Sequence, residues 1–384
     1  PVLNAHRRHQ TQSMSAGFRL RNSVCQLRQY YATGHMPSNL SMSAVGDKLF
    51  AALAGGSSGT SIYLPTNEVT MNRLMRNRSA LTLLLGILSA ASSVSCAQAE
   101  ATAEARAAQP ANPGFGSYWY QGKAEITSYQ LEQARYGEVH PGHAVLIYVT
   151  EDFSREKHVK LDRPRAAGED RVPILKLNFT KSFNTGIYPY SMMSSIFSPV
   201  DPVNDPRMLK STTTSQEWCG HTFTQLNREA DGYRIEQRSY FEAEGDENLT
   251  LEGVISEDEV WTTIRLNPAN LPTGRLQMLP GSMYARLRHV PFGLRDVEAK
   301  LESAGNGLMA YSLAYPALDR TLTIHYRAEF PYEIEGWVES YRSGFGSSAP
   351  RLTTRATKNE RLLNDYWNNN SLSHAGLRGE LGLE

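Results

Sequence analysis

Cysteine is scarce in this chain, with three in 384 residues. Cys25, Cys96 and Cys219 lie far apart and form no Cys-x-x-Cys pair, so neither a disulfide framework nor a cysteine-rich zinc site is indicated. An excess of either charge is also missing, because 39 basic residues balance 39 acidic ones. Nucleic-acid binders carry a basic excess or stripe, so no nucleic-acid partner is expected. The apolar run at residues 80–91 (ALTLLLGILSAA) is too short to span a bilayer comfortably. No glycine-rich phosphate loop leads from a strand into a helix, and no Gly-x-Ser-x-Gly elbow occurs. The histidines are scattered. His140 and His143 flank a Pro-Gly turn and are better read as turn residues than as a pinch for an ion, so no metal or cofactor is expected.

Residues 1–70 open rich in arginine and polar residues and turn Gly/Ser/Ala-rich at 44–60, with no sustained period of 2 or 3.6. They read as a disordered extension or, preferably, as sequence upstream of the true start. Met71 begins an export signal: Arg73, Arg76 and Arg78 form a basic front, residues 80–91 the apolar centre, and small residues follow. Two exits are open. Lipidation at Cys96 after Ser93-Val94-Ser95 is preferred, although Ser93 stands where an aliphatic residue is usual; ordinary cleavage after Ala99 is the alternative, leaving a soluble periplasmic protein. Residues 97–114 read as a flexible linker. The expected product is exported to the cell envelope and lipid-anchored, facing the periplasm.

Residues 115–349 carry a mainly β pattern. Residues 124–138 form one strand candidate, closed by a turn at Val139-His140-Pro141-Gly142, and 144–150 (AVLIYVT) is apolar on both faces. Leu175, Leu177 and Phe179 alternate with polar residues; 186–200, 209–227 and 233–241 continue the series, and 284–289 and 294–302 add two more. Three alternating runs follow: Met309 to Tyr315, Leu322 to Ala328 and Tyr332 to Val338. Short links between strands favour antiparallel meander pairing. One helix is expected, with Ser256 capping an acidic first turn, Glu257-Asp258-Glu259, ahead of Val260, Trp261 and Ile264. About ten antiparallel strands curl or close. The expected fold is a curved antiparallel sheet, half-barrel or barrel-like, with one packed helix, and residues 350–384 as a loosely packed polar tail.

The chemistry-bearing stretch is Gln216-Glu217-Trp218-Cys219-Gly220-His221-Thr222-Phe223. As one continuous strand it places Glu217, Cys219, His221 and Phe223 on a single face. A cysteine nucleophile needs a nearby base and a lowered pKa, so Glu217, Cys219 and His221 are the candidate catalytic residues. The plainer reading is a buried apolar cysteine beside a hydrogen-bonded histidine. Glu242, Glu244, Asp246 and Glu247 read as a solvated hairpin loop, too short for a calcium site. Glu333, Glu335 and Glu339 share a strand face with Trp337 in this reading. Trp119, Trp218 and Trp337 are the candidate ligand-contacting aromatics on a concave face.

Several stretches together carry a family resemblance. They are Tyr118-Trp119-Tyr120, Gly122-Lys123-Ala124-Glu125-Ile126-Thr127-Ser128-Tyr129, Leu131-Glu132-Gln133-Ala134-Arg135-Tyr136-Gly137-Glu138, Thr150-Glu151-Asp152-Phe153, Thr185-Gly186-Ile187-Tyr188-Pro189-Tyr190-Ser191-Met192-Met193 and Gln216-Glu217-Trp218-Cys219-Gly220-His221. Phe330-Pro331-Tyr332 with Trp337, and Ser343-Gly344-Phe345-Gly346, extend it. The chain resembles exported proteins of Bacteroidota often labelled "septum formation inhibitor Maf". The resemblance implies export and brings no mechanism. True Maf proteins are cytoplasmic α/β nucleotide pyrophosphatases with an S-x-S-P-R-R loop, which this chain lacks, so that activity is rejected.

Three functions remain in view: a non-enzymatic envelope lipoprotein binding an apolar or envelope-derived ligand in a dry concavity, an envelope hydrolase using Cys219, His221 and Glu217, and a structural or scaffolding lipoprotein. The first is preferred, and catalysis is the less favoured reading.

Overall fold

A computed structural model describes residues 108 to 383 apart from 109 and 347. The expected export signal, with Cys96 and Ala99, lies outside the described residues, as do residues 1–70 and most of the stretch expected as a linker. All described residues belong to one unit of the chain, Cys96–Glu384.

A short helix α1 (Phe115–Trp119) leads into β1 (Ala124–Arg135), β2 (Glu138–Ser154), β3 (Arg171–Thr185), β4 (Tyr188–Pro199), β5 (Lys210–Glu217), β6 (Gly220–Glu229), β7 (Gly232–Ser239) and β8 (Glu247–Glu252). Helix α2 (Glu257–Leu266) follows, then β9 (Gly274–Met278), helix α3 (Ser282–Arg288), β10 (Arg295–Gly305), β11 (Leu308–Tyr315), β12 (Arg320–Arg327), β13 (Ile334–Arg342), β14 (Arg351–Asn364) and a turn of helix α4 (Leu377–Glu380). All fourteen strands make one sheet, in the order β8-β7-β6-β5-β4-β3-β2-β1-β14-β13-β12-β11-β10-β9. Every named pairing is antiparallel.

The fold class is the expected one, and its curvature is measurable. β3 and β13 stand four places apart in the sheet, about 19 Å in a flat arrangement at ~4.8 Å per strand. Yet the rings of Phe179 on β3 and Trp337 on β13 approach to 5.2 Å between centroids. The sheet therefore curls around its own inner side chains. It does not close, because β8 and β9 remain its edges, both short, as exposed edges tend to be. Beyond those edges one parallel bridge joins Ser256 to Leu279, with Leu279 donating its N–H to the Ile255 carbonyl and accepting from Glu257.

Two helices, rather than one, lie against the inner face. α2 starts where expected, with a capping box between Ser256 and Glu259. Of residues 284–289, expected as a strand, 284–288 fall in α3. Its Met, Ala, Leu and Arg residues favour a helix, and the chain leaves it at His289 in the left-handed region (φ 52). Trp261 of α2 packs on Phe179 at 5.0 Å and Trp337 at 5.2 Å, the centre of a core to which β1, β2, β3, β4 and β13 contribute Tyr129, Leu146, Phe179, Ile196 and Trp337.

Several expected boundaries move. The β1–β2 turn sits at Tyr136-Gly137, not at 139–142, since both residues adopt positive φ (53 and 86), as a two-residue primed turn requires. His140 and His143 consequently lie within β2 on opposite faces, three residues apart along a strand, and do not pinch an ion. Residues 209–227, expected as one extended strand, are the β5–β6 hairpin. A register shift at Glu335 places it and Glu339 on opposite faces of β13, so the acidic face expected to contain Glu333, Glu335, Glu339 and Trp337 does not form. Glu339 is buried inside, while Glu335 pairs with Arg327 at 2.7 Å.

The largest correction is the tail. Residues 351–364 form β14, hydrogen-bonded to β1 on one side and β13 on the other, so this polar segment joins the two halves of the sheet. Its inner residues Thr354 and Ala356 are small and the outer residues beside them, Thr353, Arg355 and Thr357, polar or charged, which hid the strand from a hydrophobic pattern. Leu381, just past α4, is buried on the outer face against Ala124, Ile126, Val145 and Val149. Deleting residues 350–384 should therefore abolish the cooperative thermal transition followed by circular dichroism; a truncated chain that still melts cooperatively near the full-length temperature would contradict this role.

Candidate functional site

The inner face is not uniformly apolar. Two buried salt-bridge clamps fix α2 to it. At the C-terminal end Arg265 grips Glu125 of β1 at 2.5 and 2.8 Å, donates to the Pro331 carbonyl at 2.9 Å, and lies over Trp119 and Tyr148. Tyr118 also donates to Glu125. At the N-terminal end Arg320 of β12 reaches Glu257 at 2.5 and 2.6 Å and Glu339 at 2.7 Å, with the Tyr284 ring 4.1 Å away. Asp258 accepts from the Ser282 N–H and hydroxyl and from Ser211, joining α2 to α3 and β5. Burial pushes the Asp258 carboxyl above its ordinary range.

Beside the second clamp is a cavity in which water centres can occupy about 30 Å³, room for one or two waters. Lys181, Glu257, Asp258, Arg320 and Glu339 supply its charged lining; Phe179, Trp261, Met283, Leu322 and Trp337 supply the apolar part. Lys181 is buried, and among the described residues its ammonium makes no hydrogen bond or ion-pair contact; the Phe179 ring stands at 5.5 Å, and the charges of Glu339, Glu257 and Arg320 act on it from beyond ion-pair distance. Burial pushes its pKa down. A buried amine without a hydrogen-bond partner is costly, so it marks where an acceptor is wanted.

A second, smaller space opens at the hairpin end of the sheet, with room of about 10 Å³ for water centres. Arg135, Tyr190, Ser215, Glu217, Thr222 and Arg286 are among its lining residues. α3 spans both spaces, with Met283 and Tyr284 over the first and Arg286 and Leu287 over the second.

The expected site residues separate. Trp218 and Cys219 form the exposed tip of the β5–β6 hairpin. Glu217 pairs with Gly220 and faces inward, whereas His221 pairs with Gln216 and lies on the outer, exposed face. Their single-strand alignment is thus replaced by a turn that sends the carboxylate and the imidazole to opposite sides. Glu217 instead accepts from the Cys219 N–H at 2.6 Å, and its hydrogen bond to the thiol, with slight burial and its negative charge, raises the Cys219 pKa. That is the reverse of an activated nucleophile.

Of the tryptophans, Trp119 and Trp337 are buried, and Trp337 lines the larger cavity; Trp218 is 68% exposed beside Tyr188. In the acidic 242–247 loop, expected to be solvated, Glu244 is half-buried and turned against Arg286 and His289, both at 2.5 Å. Burial opposes its ionisation, but the donors His289, Ser239 and Arg286 hold it down at about 2. Among the described residues no three His, Cys, Asp or Glu side chains gather to hold a metal ion.

Sequence reasoning missed Lys181, Arg135 and Arg320. Each continues an inward alternation: Lys181 follows Leu175, Leu177 and Phe179; Arg135 follows Tyr129, Leu131 and Gln133; Arg320 precedes Leu322, Ile324 and Tyr326. A charged residue in phase with a core stripe was the available signal.

Comparison with family models, with curated proteins and with solved structures finds no match.

The Cys219 thiol should alkylate in the folded protein, because it is exposed, but more slowly at neutral pH than a free cysteine, because a raised pKa leaves less thiolate. Glu217→Gln should move the rate–pH profile to lower pH. Alkylation kinetics across pH check this, and a wild-type profile lying below that of free cysteine would contradict it.

Proposed function

We propose that this chain is an exported protein of the cell envelope whose β domain binds an envelope-derived ligand without transforming it. The observation that carries the reading is the buried Lys181 side chain, whose ammonium lines a cavity between the sheet and its two helices without a hydrogen-bond partner among the described residues. Export, the lipid anchor at Cys96 and the resulting membrane attachment come from the signal at residues 71–96. The resemblance to exported proteins of Bacteroidota points the same way.

The ligand chemistry differs from the dry, apolar concavity first expected. Phe179, Trp261, Trp337 and their neighbours fill the inner face, and the remaining space is too small for an acyl chain. It suits one acceptor group, such as a carboxylate, set against Lys181, with Met283, Leu322 and the two tryptophans offering apolar contact. A larger ligand requires α3 to move off the sheet. The hydrolase alternative has little geometric support, since Glu217 and His221 face opposite sides. The scaffolding alternative draws on exposed aromatics at the hairpin tips, Trp218, Tyr240 and Phe345.

Formate and formamide are of similar size and differ in charge, so calorimetric titration of both tests the reading at the scale of this cavity. Formate should bind at least about tenfold more tightly, given that a hydrogen bond to a charged group contributes roughly 1.5–3 kcal/mol. Lys181→Met should erase the difference while raising thermal stability, because a buried cation is replaced by an apolar side chain of similar length. Equal binding of both compounds, or a preference that survives Lys181→Met, would remove the basis for this reading.

A further inference from the structure

The smaller space at the hairpin end has a composition that the larger cavity does not explain. Arg135 is buried at 5% exposure, and among the described residues it has no carboxylate in ion-pair contact. Its guanidinium donates to the Leu287 carbonyl and to the hydroxyls of Tyr136 at 3.0 Å and Tyr190 at 3.1 Å, all neutral groups. Its Nε has no hydrogen-bond partner, and neither does the Nε of buried Arg286 nor the buried Thr222 hydroxyl. All three residues line one space. A buried charge without a counter-ion is expensive, so it is normally paired, and here two unused guanidinium donors and a hydroxyl belong to residues that line one space, with no carboxylate in ion-pair contact with Arg135.

Arg286 is different, since Glu244 at 2.5 Å already neutralises it. Arg135 is the cation here with no ion-pair contact. One carboxylate, Glu217, also lines the space; it accepts from the Cys219 N–H and offsets Arg135 only across the space, outside ion-pair distance. Around this end of the sheet lie exposed aromatics. Trp218 rests by Tyr188, Phe345 stacks on Tyr136 at 5.7 Å, and Tyr240 packs so closely on Gly220 that a Cβ there would stand 2.6 Å from its ring. Planar guanidinium forks match the geometry of tetrahedral and planar oxyanions.

We propose that the space lined by Arg135, Arg286, Thr222 and Tyr190 is an oxyanion site whose one-water volume takes a single oxygen of a phosphate group seated at its mouth, with Arg135 supplying a charge that has no ion-pair partner. It is separate from the Lys181 cavity and does not rest on the function proposed above. The phosphate has two possible sources, a free solute or the head group of an anionic lipid. The aromatic tips favour the lipid, because Trp and Tyr side chains suit an interface that is apolar on one side and wet on the other.

The test is to follow the Nε–Hε resonances of Arg135 and Arg286 by NMR in the folded domain while titrating inorganic phosphate, phosphatidylglycerol vesicles and phosphatidylcholine vesicles. Shifts with inorganic phosphate alone assign a free solute. Shifts with phosphatidylglycerol but not phosphatidylcholine assign a lipid head group. Arg135→Met should weaken the effective affinity about tenfold to a hundredfold, the range for losing a charged hydrogen-bond donor. Because Arg135 also braces Leu287, Thr222→Val serves as a second variant that keeps side-chain shape, and it should weaken binding several-fold. Glu217→Gln, which removes a nearby negative charge, should strengthen it. Unmoved arginine resonances with all three probes, or affinities unchanged in both Arg135→Met and Thr222→Val, would overturn the assignment.

Discussion

The pairing of buried charge across the inner face is the constraint on which the structure depends. An open sheet of fourteen strands has no closing ladder to fix its curl. α2 takes that role, clamped to β1 through Arg265 and Glu125 at one end and to β12 and β13 through Arg320, Glu257 and Glu339 at the other. β1 and β13 stand two places apart, with β14 between them, so one helix spans the joint between the halves of the sheet. Buried ion pairs contribute little net stability over apolar packing, yet losing one partner is severe, so such clamps restrict the arrangement more than they deepen its energy.

Against that background the unpaired cations stand out. Arg265, Arg320 and Arg286 each meet a carboxylate at 2.5 Å, whereas Lys181 and Arg135 meet none at hydrogen-bonding distance among the described residues. Both lie under α3, at opposite ends of that short helix. The cations that hold α2, Arg265 and Arg320, are thus neutralised, as is Arg286 of α3, whereas Lys181 and Arg135 adjoin the two small spaces without an ion-pair partner. Chemistry at the Cys219 hairpin has no comparable support, since its thiol is pushed up and its histidine faces away.

The alternating strands were legible because one face of each is buried, and α2 was legible because Ser256 and three acidic residues spell a helix start. What the acidic turn did not reveal is that Glu257, Asp258 and Glu259 are all buried and bind the sheet and α3, besides suiting the helix dipole. β14 was illegible because the inner residues at its centre, Thr354 and Ala356, are small and the outer ones beside them, Thr353, Arg355 and Thr357, polar or charged. α3 was misread because Tyr284, Leu287 and its arginines carry no clean period over seven residues. The Glu217-Trp218-Cys219-Gly220 stretch attracted attention for its chemistry, and two of its residues, Glu217 and Gly220, do line the smaller space. The arginines that give that space its charge come from β1 and α3, a proximity that no local pattern encodes.

A double-mutant cycle on Glu125 and Arg265, measured by denaturant unfolding, tests the clamp most directly. Glu125→Met and Arg265→Met should each cost about 3–5 kcal/mol, because each strands a buried charge, while the double variant should cost far less than their sum. Small, additive losses would contradict the account, showing that α2 is held by apolar packing alone and that buried charge does not organise the sheet.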